Sequence, residues 1–130
     1  MLDFGYIKNN GKFLQIIFSD ISYIEAVRKY VRIVTPQKVY LVQASMSYME
    51  KELPANLFCR IHRAHIVSLK YVKEFDNYTA LVAGKSLPIG KNYKGALQKK
   101  IFIISGDEKN NSRPPTKGII KLMRKIKPSG

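Results

Sequence analysis

The run Ser22-Tyr23-Ile24-Glu25-Ala26, followed by Tyr30-Val31-Arg32-Ile33-Val34-Thr35 and Lys38-Val39-Tyr40-Leu41-Val42-Gln43, decides the fold class. β-Branched and aromatic residues alternate there with polar ones at a period of two, as strands that bury one face require. The basic loop Val27-Arg28-Lys29 links the first strand to the second, and a turn at Pro36-Gln37 brings back the third. Toward the N-terminus, Phe4 to Lys8 and Phe13 to Phe18 flank Asn9-Asn10-Gly11, whose residues tolerate positive φ, and this reads as a hairpin. Toward the C-terminus, Ser45 to Leu53 places Met46, Met49 and Leu53 on one face at helical spacing, and Pro54 ends that helix. Ser45 can cap it, and so can Ser47, which has Glu50 three residues on. Further along, Tyr71 to Phe75 and Thr79 to Ala83 enclose Asp76-Asn77, and Gly84-Lys85 turns into a short strand at Ser86 to Ile89. Asn92 to Ile104 reads as a helix, or as a helix passing into a strand. The expected class is mainly β: small antiparallel sheets with one or two short helices.

The 130 residues fit one domain with a real core, and 45% apolar against 25% charged residues is ordinary globular composition. The charge balance is not ordinary. Twenty-three Lys and Arg against nine Asp and Glu leave a net charge of +14, a field that draws polyanions such as nucleic acid or an anionic membrane surface. Residues 1–104 alone carry 16 basic and 7 acidic groups, so the body is basic without help from residues 105–130. The single cysteine, Cys59, allows no internal disulfide, and a reducing cytoplasm is the expected compartment. No apolar run exceeds the four residues Ile101 to Ile104, far short of the roughly 20 that a spanning helix needs.

After Ser105 the chain turns polar and Pro-containing, and residues 105–116 read as a linker. Beyond it, Ile119, Leu122, Met123 and Ile126 fall at i, i+3, i+4 and i+7 among Lys121, Arg124, Lys125 and Lys127, making residues 117–130 a basic amphipathic helix candidate. Such a tail could touch a membrane surface or a partner, or could instead cover an apolar patch of the domain or stay disordered.

The sequence offers no acid–base pair with a nucleophile and no glycine-rich phosphate loop, so enzymatic activity is not expected. Cys59, His62 and His65 form a Cys-x-x-His-x-x-His string. A structural zinc wants four ligands, and the chain holds no further Cys or His, so neither metal nor cofactor is expected. Cys59 reads as a small core residue, and His65, beside Ile66 and Val67, as a hydrogen-bonded, partly buried histidine.

Three stretches in order resemble the LytTR family of bacterial DNA-binding domains: Asp20-Ile-Ser-Tyr-Ile-Glu-Ala26 with Tyr30 beyond it; Leu53-Pro54 with Phe58-Cys-Arg-Ile-His-Arg-Ala-His-Ile-Val67; and Leu87-Pro-Ile-Gly-Lys-Asn-Tyr93 with Leu97. The quoted stretches run from Asp20 to Leu97, and the resemblance is taken to cover about residues 5–104, the whole expected domain. The resemblance implies an elongated fold of small antiparallel sheets whose loops, rather than a helix, enter successive major grooves of double-stranded DNA, with two copies on adjacent repeats. It implies base reading by His62, Arg63 and Lys91, and contact with the groove or backbone by Lys29 and Tyr30. Arg28 adds a cation to a face that can meet phosphates. Asn92 and Lys94 sit where a strand gives way to the expected helix, whose terminal N–H groups could hold a phosphate, although Asn92 is equally well explained as a helix cap. Tyr93 and Leu97, four apart, are expected to face the core. The family commonly has Ser where this chain has Ala64, Asn where it has Ser68, and often Arg where it has Lys91. Lys91 is a point charge without a planar fork, so its base selectivity should be looser. With no room for a receiver domain, the chain reads as a stand-alone regulator or an excised output domain. Single-stranded RNA binding is a further alternative, kept open by the eight tyrosines.

Overall fold

A computed structural model describes residues 2–106. The elements run β1 (Phe4–Asn9), β2 (Lys12–Ile17), β3 (Tyr23–Val27), β4 (Tyr30–Val34), β5 (Val39–Gln43), α1 (Met46–Glu52), β6 (Phe58–His62), β7 (His65–Ser68), β8 (Val72–Phe75), β9 (Thr79–Val82) and β10 (Lys85–Pro88), with short 3-10 turns at Phe18–Asp20, Leu69–Tyr71 and Lys91–Tyr93. Among the described residues all pairings are antiparallel and form three sheets: β1-β2, β5-β4-β3-β7-β6 and β10-β9-β8. The expected mainly β class holds.

The five-stranded sheet is buried on both faces at its centre. Tyr23 and Ile24 are neighbours on β3 and point to opposite sides, yet both are buried. Ile24, Ile33, Ile66 and Phe58 face one side, where Ile7 and Ile16 of the N-terminal hairpin and Met46 of α1 complete a cluster. Tyr23, Val67, Cys59 and Ile61 face the other side and meet Ala80, Val82 and Leu87 of the three-stranded sheet together with Leu97. Fully burying one such side chain stabilises the fold by about 1.5–3 kcal/mol, so the two layers lock both smaller sheets onto the central one.

The turns follow local chemistry. Asn10 and Gly11 both have positive φ (52° and 78°), as the two-residue hairpin turn between β1 and β2 requires. Ser45 caps α1, its side chain accepting the Tyr48 N–H at 3.0 Å, which decides between the two expected caps. Leu53 leaves the helical region at φ −75°, ψ 152°, as a residue preceding proline must.

Three expectations change. The hairpin turn between β9 and β10 is Ala83-Gly84 rather than Gly84-Lys85, with Ala83 at φ 51°. The helix expected from Asn92 does not form: only the 3-10 turn Lys91–Tyr93 is present, and Gly95 at φ +84° breaks any continuation. Asn92 is therefore no helix cap; it lies inside that turn, whose preceding residue is Gly90. The third difference is an addition. Residues 58–68, quoted above for a motif but not read as strands, form the β6-β7 hairpin. The expected core roles of Cys59 and Leu97 hold, at 2% and 3% exposure, while Tyr93 is only half-buried. The expected amphipathic segment 117–130, and all of the expected linker but Ser105 and Gly106, lie outside the described residues.

Candidate nucleic-acid interface

Register places three basic turns at one end of the central sheet. β3 ends at Val27 opposite the first residue of β4, Tyr30, and Glu25 of β3 pairs with His65, where β7 begins. The β3-β4 turn (Arg28, Lys29) and the β6-β7 turn (Arg63, Ala64) therefore emerge side by side, and the Ala26 N–H donates to the Ala64 carbonyl at 2.9 Å. The third turn joins from the other sheet: the Gly90 N–H donates to the Ile61 carbonyl at 2.7 Å. A Cβ on Gly90 would lie 3.1 Å from the Tyr93 ring, a tight approach, and 3.5 Å from both Cα and Cδ2 of His62, an ordinary contact distance, so the missing side chain leaves room for the Tyr93 ring against the loop that carries Lys91.

Of the sequence-predicted positions, Arg28, Lys29, Tyr30, Arg63, Lys91, Asn92 and Lys94 are exposed, and His62 is half-buried among them. All eight are brought to the same end. The 35–38 turn and the 69–71 turn, carrying Lys38 and Lys70, lie at the other end of the sheet.

The state of His62 follows from its neighbours. Its Nδ1 accepts the Ala64 N–H at 3.0 Å, so in the neutral ring the proton sits on Nε2. Burial, with the adjacent His65, Arg63 and Arg60, pushes its pKa below the ordinary histidine value and favours that neutral form. The ring is thus both tied into the turn and able to donate one hydrogen bond outward. Beneath it stands His65, with ring centroids 5.3 Å apart. His65 is hydrogen-bonded as expected, its Nε2 lying 3.1 Å from Oε2 of Glu25, and is buried rather than partly buried; its Nδ1 has no hydrogen-bond partner among the described residues. Glu25 also accepts from Arg32, its cross-strand partner. Burial alone would raise the Glu25 pKa, but the hydrogen bonds from His65 and Arg32 outweigh it and hold the carboxyl below the usual range.

Sequence reasoning missed two contributors. Arg60, within the quoted motif, sends its guanidinium to the carbonyls of His62 and Arg63. Its only sequence signal is its position two residues before His62 in the quoted motif. Tyr78 is 66% exposed beside the third turn: its carbonyl accepts the Ile89 N–H at 2.8 Å, and Lys94 Nζ lies 4.8 Å above its ring. Asp76 Oδ1 holds this tyrosine in place by accepting the Tyr78 and Thr79 N–H groups, and an aromatic at such a turn is the signal that could have drawn attention to it.

The chain is 29% identical over 90 residues to the sensory transduction protein LytT of Bacillus subtilis (strain 168), covering 65% of this chain and 37% of that protein. It is 36% identical over 69 residues to the heme-containing CO-sensing transcriptional regulator RcoM 1 of Paraburkholderia xenovorans (strain LB400), covering 53% and 25%. The chain thus spans well under half the length of these curated relatives. The solved LytTr DNA-binding domain of a methyl-accepting/DNA response regulator from Bacillus cereus superposes with a TM-score of 0.61 at 21% identity, covering 72% of this chain and 91% of that one. A model of the LytTr DNA-binding domain family matches residues 11–102, and the chain belongs to that family.

Proposed function

We propose that residues 1–104 form a sequence-specific double-stranded DNA-binding domain of a transcriptional regulator, reading the major groove with loops. The observation that carries this reading is the meeting of the three basic turns at one end of the sheet, through the Ala26–Ala64 and Gly90–Ile61 hydrogen bonds. A groove roughly 12 Å wide admits such protruding turns, and each base pair presents a distinct pattern of donors and acceptors there. Arg28, Lys29, Tyr30, Asn92 and Lys94 contact the backbone and set the register, supplying affinity. Arg63, with its planar fork, His62, through Nε2–H, and Lys91 meet base edges and supply preference. Two copies bind adjacent repeats. Residues 105–116 link this domain to the basic segment 117–130, which adds nonspecific affinity for polyanions.

Selecting bound duplexes from a random pool tests the reading. The wild-type chain should enrich a defined motif; Arg63→Ala should relax preference at one position, and Lys29→Ala should weaken binding evenly across sequences. A pool that shows no enrichment, or an Arg63→Ala variant that enriches the same motif with equal stringency, refutes it.

A further inference from the structure

We propose that Arg60 is the positioning residue of this interface, one guanidinium that aims the Arg63 turn and couples it to both the Lys91 loop and helix α1. The proposal rests on the reading of the His62-Arg63 turn as a DNA-contacting element. Arg60 sits on β6 with its side chain largely buried, 13% exposed. Its Nη2 donates to the Arg63 carbonyl at 2.8 Å and its Nε to the His62 carbonyl at 3.4 Å. Its Nη1 donates to Glu50 Oε1 of α1 at 3.1 Å. The guanidinium carbon lies 5.8 Å from the centre of the Tyr93 ring. One group therefore touches the second turn, the helix and the third turn.

The reason lies in the backbone. The β6-β7 register shifts between Arg60 and His62, a bulge that interrupts the ladder just before the turn. Carbonyls at such a break need another donor, and the planar fork with five N–H groups serves several acceptors at once, which a lysine ammonium on a flexible stem does not. Fixing the carbonyls of residues 62 and 63 fixes the peptide planes on either side of Arg63, and with them the direction in which its side chain leaves the sheet. Tyr93 donates its backbone N–H to the Gly90 carbonyl at 2.8 Å, so a hold on the Tyr93 ring is a hold on the loop that carries Lys91. Glu50, its side chain 53% exposed, gives the guanidinium a countercharge on an element already packed onto the core through Met46. Base recognition tolerates misplacement of only about 0.5 Å, so loss of this clamp should cost selectivity before it costs charge attraction.

The test uses the full 130-residue chain and two probes: the duplex it enriches from a random pool, and a scrambled duplex of the same composition. Arg60→Lys keeps the charge and loses the fork. The ratio of affinities for the two duplexes should fall by about tenfold, while affinity for the scrambled duplex changes less than about threefold. Glu50→Gln keeps an acceptor and loses the charge, and should give a smaller fall, about threefold. In the free protein, Arg60→Lys should speed exchange of the Ala64 amide, which the turn protects through His62 Nδ1, without speeding that of Ile24 in the core strand. An unchanged affinity ratio, equal weakening on both duplexes, or unchanged Ala64 exchange overturns the proposal. A wild-type chain that binds the two duplexes equally would instead remove the base-reading proposal, and the exchange measurement then decides by itself whether Arg60 holds the turn.

Discussion

Replacing Lys29 and Lys94 together with alanine removes two positive charges from the end of the sheet where the three turns meet. Replacing Lys38 and Lys70 removes the same two charges from the opposite end, where the β4-β5 turn and the residues after β7 lie. Net charge falls equally, from +14 to +12 by subtraction of two lysines, so any general polyanion attraction is matched between the variants. Each phosphate neutralised by a contacting cation contributes about −0.9 to the slope of log K against log salt on B-DNA. Losing two contacts should make the slope of the Lys29/Lys94 variant shallower by about 1.8, so that a rise from 50 to 200 mM salt weakens its binding about 12-fold less than it weakens the wild type. The Lys38/Lys70 variant should keep the wild-type slope. Cations in residues 107–130 add to every slope alike and cancel in the comparison. Fluorescence anisotropy with a labelled duplex at five salt concentrations measures all three lines. Equal slopes for the two double variants would refute the assignment of this end as the phosphate-contacting surface.

Glu25→Gln removes the charged acceptor shared by Arg32 and His65 and should cost about 1–2 kcal/mol in urea unfolding at pH 7. Because the Glu25 carboxyl titrates below its unfolded value, its contribution is complete above about pH 4.5 and is lost as pH falls through the folded pKa, so the gap between wild type and Glu25→Gln should close on acidification. His62 resists protonation when folded, so the unfolded chain takes up the proton more readily and stability should fall as pH drops below about 6.5; His62→Gln should flatten that part of the urea-midpoint profile. Gly90→Ala meets no backbone penalty, with φ at −69°, but drives a methyl toward the Tyr93 ring; unfolding free energy should stay within about 1 kcal/mol of wild type, while preference for the selected duplex falls. Ile61→Ala empties a fully buried site between the two larger sheets and should cost about 2–5 kcal/mol by urea unfolding.

How much of this was legible in the sequence depended on which strands keep one face in water. β4 and β5 alternate because one side of each is partly exposed, and Asn10-Gly11 marks its hairpin outright. β6 and β7 do not alternate: Phe58, Cys59 and Ile61 are all buried, as is every residue from His65 to Ser68, so the period of two vanished under two-sided burial and a bulge. The helix expected from Asn92 does not form: a spacing of four between Tyr93 and Leu97 says that both can face inward but not that the backbone between them is helical, and Gly95 decides otherwise. The family resemblance supplied the candidate positions residue by residue. Their adjacency was not legible, because it depends on long-range hydrogen bonds such as that from Gly90 to Ile61, and neither was the role of Arg60, whose partners lie on a helix and on a separate loop as well as in its own turn.

The most direct test of the central claim is a titration of the isotopically labelled chain with its selected duplex, following backbone amide resonances. Shifts should concentrate in residues 27–30, 62–64 and 90–94 and rise together at one stoichiometry, leaving residues 35–38 and 69–71 unmoved. Shifts gathered at that second set, or confined to the N-terminal hairpin, would contradict it.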